Sequence, residues 1–237
     1  MSPSDVKVLS SCRSLFGVRV LIALKAKGVD YQFIDEPDLG NKSKLLLESN
    51  PVHKKVPVLI HKGKPICESL IIVQYIDETW PSQHDKGSGS FLPQDPYQRA
   101  LVRFWADYVD KKVYEGIMLI LKNVEGELME QGRSVVRESM VALDGALHDV
   151  FGPGPYFGGD QINLVDIALT SYLCCIETME TLGNFKVLDE STCPHLCAWV
   201  KAVVQYPGVK EGLATVPSQN LLESVRSMRK TIFGLTE

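Results

Sequence analysis

The stretch KKVPVLIHKGKPICES, residues 54–69, decides how the first third of the chain folds. Apolar residues 58–60 predict a strand, Lys62-Gly63 predicts a tight turn, and a second short strand then leads into a long apolar run. A hairpin joined to a helix needs neither the Pro at position 57 nor the Glu68-Ser69 pair at its end. These positions therefore serve either the fold or a ligand.

Strand and helix signals alternate along the first eighty residues. The segment 16–28 has helical spacing with Gly28 as a stop, whereas 29–34 alternates apolar and polar residues as a half-buried strand does. The predicted elements are a strand at 6–10, a helix at 16–28, a strand at 29–34, a short helix at 43–48, the hairpin and a helix at 68–80. The order is βαβ followed by ββα, which predicts an α+β domain.

The periodicity breaks in residues 80–96, which are rich in Gly, Ser and Pro and typical of a linker. Every long segment beyond is helical. Asp95-Pro96 is typical of a cap followed by Pro at the first helical position, and Asn163 with Asp166 can form a capping box. We expect an α+β domain at 1–83, a linker at 84–94 and an all-α domain at 95–237, with later helices at 194–205 and 218–231.

Composition excludes several classes of function. The chain of 237 residues is 45% hydrophobic and 23% charged, as in ordinary soluble proteins, and its net charge of -4 favours neither nucleic acid nor an anionic membrane. No apolar run reaches the roughly 18 residues of a membrane span, and the N-terminus lacks the features of a secretory signal. Six cysteines occur without a CxxC pair, which predicts no metal site, no disulfide framework and a reducing, cytoplasmic location.

Val56-Pro57 has two interpretations. A Pro is tolerated at the start of a strand because no donor is needed there. A cis bond at this position would instead turn the Val56 amide and carbonyl outward, where they could pair with an extended, peptide-like ligand. The residues alone leave both open.

The polar residues around the hairpin are equally ambiguous. Glu68 or Ser69 could cap the following helix, or the helix amides and the Ser69 hydroxyl could bind a ligand carboxylate while Glu68 holds an ammonium group. Lys42 and Lys55 could be solvated charges or ligand contacts. Each residue taken singly favours the structural interpretation.

The combination of these features resembles the glutathione transferase superfamily. Ser14 lies just before a predicted helix N-terminus, and the runs NKSKLLLESNPVHKKVPVLIHKGKPICESLIIVQYIDETW, FLPQDPYQRALVRFWADYVDKK and YFGGDQINLVDIAL follow the pattern of the plant tau class. The resemblance covers the chain from about residue 5 onward. It implies a thioredoxin-like N-terminal domain followed by an all-α domain, and two-fold homodimers.

The resemblance assigns the catalytic role to Ser14, whose hydroxyl would donate a hydrogen bond to the glutathione sulfur. Arg19 and Asp110 match charged residues that support the site from behind. The implied reaction is conjugation of reduced glutathione to small hydrophobic electrophiles, a detoxification activity, with glutathione as co-substrate and no other cofactor. A glutathione peroxidase side activity is a further expectation.

Six residues would bind glutathione along its length. Lys42 and Lys55 match the lysines that hold the glycyl carboxylate, and Val56-Pro57 matches the family's cis-proline segment, which pairs with the cysteinyl backbone. Glu68 and Ser69 match the pair that binds the γ-glutamyl end. The opening stretch would thus carry three of the ligand's anchor points.

The electrophile pocket departs from the family pattern. Its residues are implied at Ser11, Cys12, Leu15, Tyr114, Met118 and Cys175. Leu15 stands where the class usually has Pro, Ser11 and Cys12 stand where many members have aromatic residues, and Cys175 where some have Trp. A roomier, less aromatic pocket is therefore expected, with Tyr114 and Met118 as its apolar wall.

Two other functions remain open at this stage. Cys12 could be the nucleophile of a thiol transferase, although a reactive cysteine needs a helix N-terminus or a basic neighbour, and Arg13 is the one candidate in the sequence. The chain could also be a non-catalytic carrier of hydrophobic ligands, with catalysis weakened by Leu15.

Overall fold

The structure, a computed structural model, describes residues 5–81, 89–214 and 218–233. Internal contacts divide the chain into two units, Met1–Pro93 with Gln205–Val216, and Gln94–Val204 with Pro217–Glu237. The predicted linker at 84–94 lies partly outside the described residues, and the predicted domain bounds remain a proposal.

The first unit has the predicted βαβ–ββα order. Its elements are β1 (Val6–Ser10), α1 (Leu15–Ala26), β2 (Gln32–Asp35), α2 (Lys44–Ser49), β3 (Val58–His61), β4 (Lys64–Cys67) and α3 (Ser69–Thr79). The sheet order is β2-β1-β3-β4, with β1 and β2 parallel and the other two pairs antiparallel. Lys62 and Gly63 form the predicted two-residue turn, both with positive φ.

Helix α1 ends in a hydrogen-bonded stop at Gly28, as predicted. Gly28 has φ +64°, its N–H donates to Lys25 O, and the Val29 N–H donates to Leu24 O at 2.9 Å, a Schellman pattern. Because this motif uses the Val29 amide, the strand predicted at 29–34 begins only at Gln32. The half-buried alternation expected for it is wrong as well, since β2 is an edge strand with mostly exposed residues.

The core of the first unit lies on both faces of β1 and β3. Leu9 and Val58 form a buried cluster with Leu46, the one buried residue of α2. Helix α1 contributes eight buried residues, from Gly17 to Leu24. This packing fixes the ends of β1, α2 and β3, which carry the candidate residues.

The second unit is helical. Its helices are α4 (Pro96–Tyr108), α5 (Tyr114–Lys122), α6 (Glu127–Gly145), α7 (Leu164–Thr170), α8 (Ile176–Gly183), α9 (Pro194–Val203) and α11 (Ser218–Phe233). Helix α10 (Val209–Leu213) belongs to the first unit, where it packs on α1. Two π-helical segments, Val109–Val113 and Ala146–Val150, follow α4 and α6. Within the described residues, none of the helices combines the length and apolarity needed to cross a membrane.

The predicted caps of the second unit are present. Asp95 accepts the Gln98 N–H at 2.8 Å at the start of α4, with Pro96 first in the helix. Asn163 and Asp166 form a capping box at α7, in which Asp166 Oδ2 accepts the Asn163 N–H at 2.7 Å. Asp166 also accepts from the Phe157 amide and the Trp199 indole, and its complete burial raises the pKa of the carboxyl to about 6.

Candidate functional site

Ser14 is the N-cap of α1. Its Oγ accepts the Gly17 N–H at 3.1 Å, and its own N–H donates to Ser11 O at 2.9 Å, closing a turn between β1 and α1. A hydroxyl that accepts one hydrogen bond keeps its proton for donation to another acceptor. The partly exposed Ser14 hydroxyl is therefore a donor at the positive end of a helix.

Cys12 lies in this turn, two residues after the end of β1, and is exposed to solvent. Its N–H is 3.4 Å from Asp35 Oδ1. The neighbouring Arg13 guanidinium donates to the Pro37 carbonyl at 2.9 Å. Cys12 thus lacks the helix N-terminus that would favour its thiolate.

Leu15 occupies the first position of α1. This position is one that Pro favours, because its amide has no partner within the helix. The Leu15 N–H has no acceptor among the residues that the structure describes. A Pro there would have no N–H, so Leu15 adds a backbone donor next to Ser14.

The Val56-Pro57 bond is cis, which was the ligand-binding alternative for this segment. Pro57 is buried immediately before β3, and Val56 is partly exposed. Across the described parts of the chain, no hydrogen bond engages the Val56 N–H or C=O. Both groups can pair with an extended ligand backbone.

The Glu68-Ser69 pair does not cap α3 through its side chains. Glu68 is the N-cap residue, with φ +70°, and makes no side-chain cap bond. Ser69 is buried, and its Oγ accepts from Arg19 Nη1 at 3.3 Å. A bulky residue at positive φ is costly and persists where the surroundings demand it, often at ligand sites. The capping interpretation is therefore wrong for both side chains.

Charges surround this helix start. The Glu68 carboxylate is exposed and lies 3.8 Å from His53 Nε2, a neighbour that the sequence did not single out. Arg19 is fully buried, and its guanidinium also lies over the Phe16 ring at 4.9 Å. Arg19 thus contacts the Ser69 hydroxyl from inside the unit, which is the side its predicted supporting role requires.

Lys42 and Lys55 flank α2, one on each side. Lys42 precedes the N-cap Ser43, and Lys55 lies in the turn after the C-cap Asn50. Neither ammonium group contacts a carboxylate within the described ranges. Both charges are available to an anionic ligand.

Two buried polar residues that the sequence interpretation missed hold these ends of α2. Glu36 accepts from both the amide and the hydroxyl of Ser43, at 2.8 and 2.6 Å. Asn50 donates from Nδ2 to Lys55 O at 2.9 Å and accepts the His53 N–H at 3.1 Å. Asn50 could have been identified from the sequence, because it comes just after a predicted short helix. Glu36 could not, because its contact with Ser43 joins residues seven positions apart and no sequence pattern marks it.

The candidate residues of the second unit lie on and near α5. Asp110 is in the π-helical segment that precedes it, and Tyr114 and Met118 are partly exposed one turn apart. Cys175 is fully buried, so its predicted contact with an electrophile requires its neighbours to move. π-helical turns occur often at functional sites.

Two other cysteines, Cys67 and Cys197, are poor nucleophiles because their thiols ionise less readily than an ordinary thiol. Burial, assisted by the Glu68 charge, raises the pKa of the Cys67 thiol, and burial beside Cys193 raises that of Cys197 to about 11. All six cysteines are free thiols. No cluster of three metal-ligating side chains occurs in the part of the chain that is described.

Comparison with family models supports the assignment suggested by this geometry. The glutathione S-transferase N-terminal domain matches residues 4–78, and the glutathione S-transferase C-terminal domain matches residues 114–215. A probable glutathione S-transferase, parC of Nicotiana tabacum, is 44% identical over 99% of this chain and 100% of its own length. Glutathione S-transferase U25 of Arabidopsis thaliana is 43% identical over 96% of each chain.

Solved structures agree. A tau-class glutathione S-transferase from mango, Mangifera indica, superimposes with a TM-score of 0.85 at 41% identity, covering 95% of this chain and 99% of its own. A rice glutathione S-transferase solved in complex with glutathione gives a TM-score of 0.84 at 34% identity, covering 98% and 99%. The thioredoxin-like first domain and the helical second domain are thus confirmed, and the chain belongs to the tau class of the glutathione S-transferase family.

Proposed function

We propose that this glutathione transferase conjugates reduced glutathione to hydrophobic electrophiles by holding the glutathione sulfur, as a thiolate, against the Ser14 hydroxyl. The observation that carries the proposal is that Ser14 Oγ already accepts the Gly17 N–H, which leaves the hydroxyl proton for a ligand. The hydroxyl acts as a donor and not as a nucleophile, so no general base is needed. A secondary peroxidase activity would use the same thiolate.

The energetics of this arrangement are sufficient. An ordinary thiol has a pKa of about 8.5, and a mostly ionised thiol at pH 7 requires a lowering of about 2 units, or about 2.7 kcal/mol. A hydrogen bond to a charged group contributes about 1.5–3 kcal/mol. A helix N-terminus contributes about 0.3–1 kcal/mol more. Ser14 at the start of α1 combines both contributions.

Glutathione would lie along the hairpin and the start of α3. The unpaired Val56 backbone would bind the cysteinyl backbone, and Lys42 and Lys55 would bind the glycyl carboxylate. The γ-glutamyl carboxylate would accept from the Ser69 hydroxyl and the first amides of α3, where Glu68 would hold its ammonium group. Among the residues that the structure describes, no side chain caps the start of α3 and neither lysine contacts a carboxylate, and both observations support this placement.

The electrophile side is proposed from residues within each unit. Ser11, Cys12 and Leu15 lie in or beside the turn that carries Ser14. In the second unit Tyr114 and Met118 offer partly exposed apolar surface, whereas the buried Cys175 would act only through its packing. Small hydrophobic electrophiles are the substrate class that we propose from these residues, in keeping with a detoxification role.

We also propose a homodimer in the cytoplasm. Six free thiols suit a reducing compartment. Exposed apolar residues lie on α3 (Ile71) and on α4 (Tyr97 and Phe104), as expected if these helices build a two-fold interface. Light scattering at micromolar concentration tests this: a mass of only 26.3 kDa, that of one chain, would refute the dimer.

The catalytic assignment is tested by three variants with a model aryl halide as electrophile. Ser14→Ala should lower conjugation by roughly 10- to 1000-fold, the range for removal of one preorganised donor. Cys12→Ser should leave conjugation nearly intact, and Ser14→Cys should gain thiol–disulfide exchange because a thiolate there can attack a disulfide.

The reverse pattern, with Cys12 essential and Ser14 dispensable, would show a thiol transferase on this fold. Tight binding of the same aryl compounds without turnover in the unmodified chain would show a non-catalytic carrier. Failure to bind a glutathione matrix would refute both enzyme interpretations.

A further inference from the structure

We propose that Glu36 and Asn50 are positioning residues that hold Lys42 and Lys55 for the carboxylate of glutathione without touching the ligand. The inference rests on the proposed function, since it concerns the two lysines assigned to the glycyl carboxylate. Both positioning residues are buried, with 2% and 3% of their surface exposed.

Helix α2 needs support at its ends. It has only six residues, and Leu46 alone is buried. Helices this short are unstable by themselves in water, so the ends of α2 depend on contacts outside the helix. The two lysines lie immediately beyond those ends, and their backbone positions follow from how the ends are held.

Glu36 holds the first end. Its two carboxylate oxygens accept separately from the Ser43 amide and the Ser43 hydroxyl, while its own N–H donates to Ser10 O at 2.8 Å. Ser43 Oγ in turn accepts the Leu46 N–H at 3.1 Å. Glu36 therefore ties the N-cap of α2 to the last residue of β1, and the residue adjacent to this cap is Lys42.

Asn50 holds the second end. Its backbone N–H donates to Leu46 O at 2.9 Å and closes the helix, while its backbone carbonyl accepts the Lys54 N–H at 2.8 Å. Its side-chain amide donates to the Lys55 carbonyl and accepts the His53 amide. The turn from helix to Lys55 thus closes around one buried side chain, directly before the Val56 backbone.

Position matters here because a lysine must lose the freedom of a long, flexible side chain when it binds a carboxylate. If the backbone is fixed beforehand, binding orders only the side chain, and less affinity is lost. Loss of either buried residue should therefore weaken glutathione binding while the chemistry at saturating glutathione continues.

The test compares KM for glutathione with kcat for a model aryl halide. Glu36→Ala and the isosteric Asn50→Asp, which puts an acceptor opposite the Lys55 carbonyl, should each raise KM by about 3- to 10-fold, as loss of one net hydrogen bond would. The kcat at saturation should change by less than about 2-fold. Glu36→Gln, which can still pair with the Ser43 amide and hydroxyl, should restore most of the affinity.

Coupling distinguishes positioning from general damage. In a Lys42→Ala background, Glu36→Ala should no longer raise KM, whereas Asn50→Asp still should. In a Lys55→Ala background the reverse is expected. Additive effects in both backgrounds, or an equal loss of kcat, would overturn the inference. If Lys42→Ala and Lys55→Ala themselves leave KM unchanged, the proposed lysine anchors fail instead.

A matched control exists in the second unit. Asp144 is a buried carboxylate that accepts the Leu196 N–H at 2.8 Å near the start of α9, an interaction of the same kind as that of Glu36. Asp144→Ala should lower the melting temperature without changing KM for glutathione. If Glu36→Ala does not fold, Ser43→Ala is the alternative, because it removes the hydroxyl that donates to Glu36 and changes only an exposed residue. An unchanged KM for glutathione in that variant would overturn the role of Glu36.

Discussion

Removal of the Ser14 hydroxyl should raise the pKa of the bound glutathione thiol. A donor to a thiolate is worth about 1.5–3 kcal/mol, and one pKa unit corresponds to about 1.4 kcal/mol, so the loss amounts to about 1–2 units. The Ser14→Ala change also frees the Gly17 N–H, which now bonds to Ser14 Oγ at 3.1 Å. Because this amide and the Leu15 N–H remain at the helix start, we expect a rise near the lower limit, about 1 unit.

The assay follows the thiolate absorbance of bound glutathione against pH, together with the pH dependence of kcat for conjugation. Both midpoints should move to higher pH in Ser14→Ala, and activity should recover partly at alkaline pH. A loss of activity that is independent of pH would mean that Ser14 serves to orient the ligand and not to ionise its thiol.

Ser14 is also a helix cap, so a control must separate capping from catalysis. Asp95 caps α4 in the same manner, by accepting the amide three residues on at 2.8 Å, in the second unit. Asp95→Ala should cost about 0.5–2 kcal/mol of stability, as Ser14→Ala should, and should leave the thiol pKa unchanged. An unchanged thiol pKa in Ser14→Ala would refute the donor role.

Further predictions concern the helix start, a buried ion pair and a buried acid. Leu15→Pro, which removes one N–H from the start of α1, should raise the same thiol pKa by up to about 0.7 units, and an unchanged or lowered pKa would show that the amide takes no part. Lys27→Met should lower the free energy of unfolding in urea by about 3–5 kcal/mol, because the buried Asp77 carboxylate then loses the Lys27 ammonium group that lies 2.7 Å from its Oδ1. The double variant with Asp77→Leu should recover much of this loss. A Lys27→Met variant as stable as the parent would contradict the prediction. The folded pKa of Asp166, about 6, is above its ordinary 3.8, so the stability that this group contributes is complete below about pH 4 and is lost as pH rises through 6, by about 3 kcal/mol. The difference in free energy of unfolding between the parent and Asp166→Asn should therefore shrink over this pH range. A difference that stays constant with pH would exclude the raised pKa.

Local signals were sufficient for most of the architecture. The Schellman stop at Gly28, the turn at Lys62-Gly63, the cap at Asp95 and the capping box at Asn163 and Asp166 each depend on residues a few positions apart. Such interactions are encoded by spacing along the chain, so they can be read from it directly.

Edges and burial were predicted less well because they depend on neighbours distant in sequence. Residues 29–34 alternate apolar and polar in the sequence, but the structure does not bury them alternately. Strand β2 begins late because the Val29 amide is used by the end of α1, and it is mostly exposed because it lies at the edge of the sheet. The π-helical segments after α4 and α6 have no marker in the sequence either.

At the site, the sequence by itself determined the residue types: a serine before a helix, a proline at a strand start, and a Glu-Ser pair before another helix. Only the tertiary structure decided what each does. It places Ser69 against Arg19, fifty residues away, and Glu36 against the cap of α2, because β1 and β3 bring α1, α2 and α3 to one end of the sheet. Hydrogen bonds between such distant residues follow from packing, and packing is a property of the whole unit that no short stretch contains.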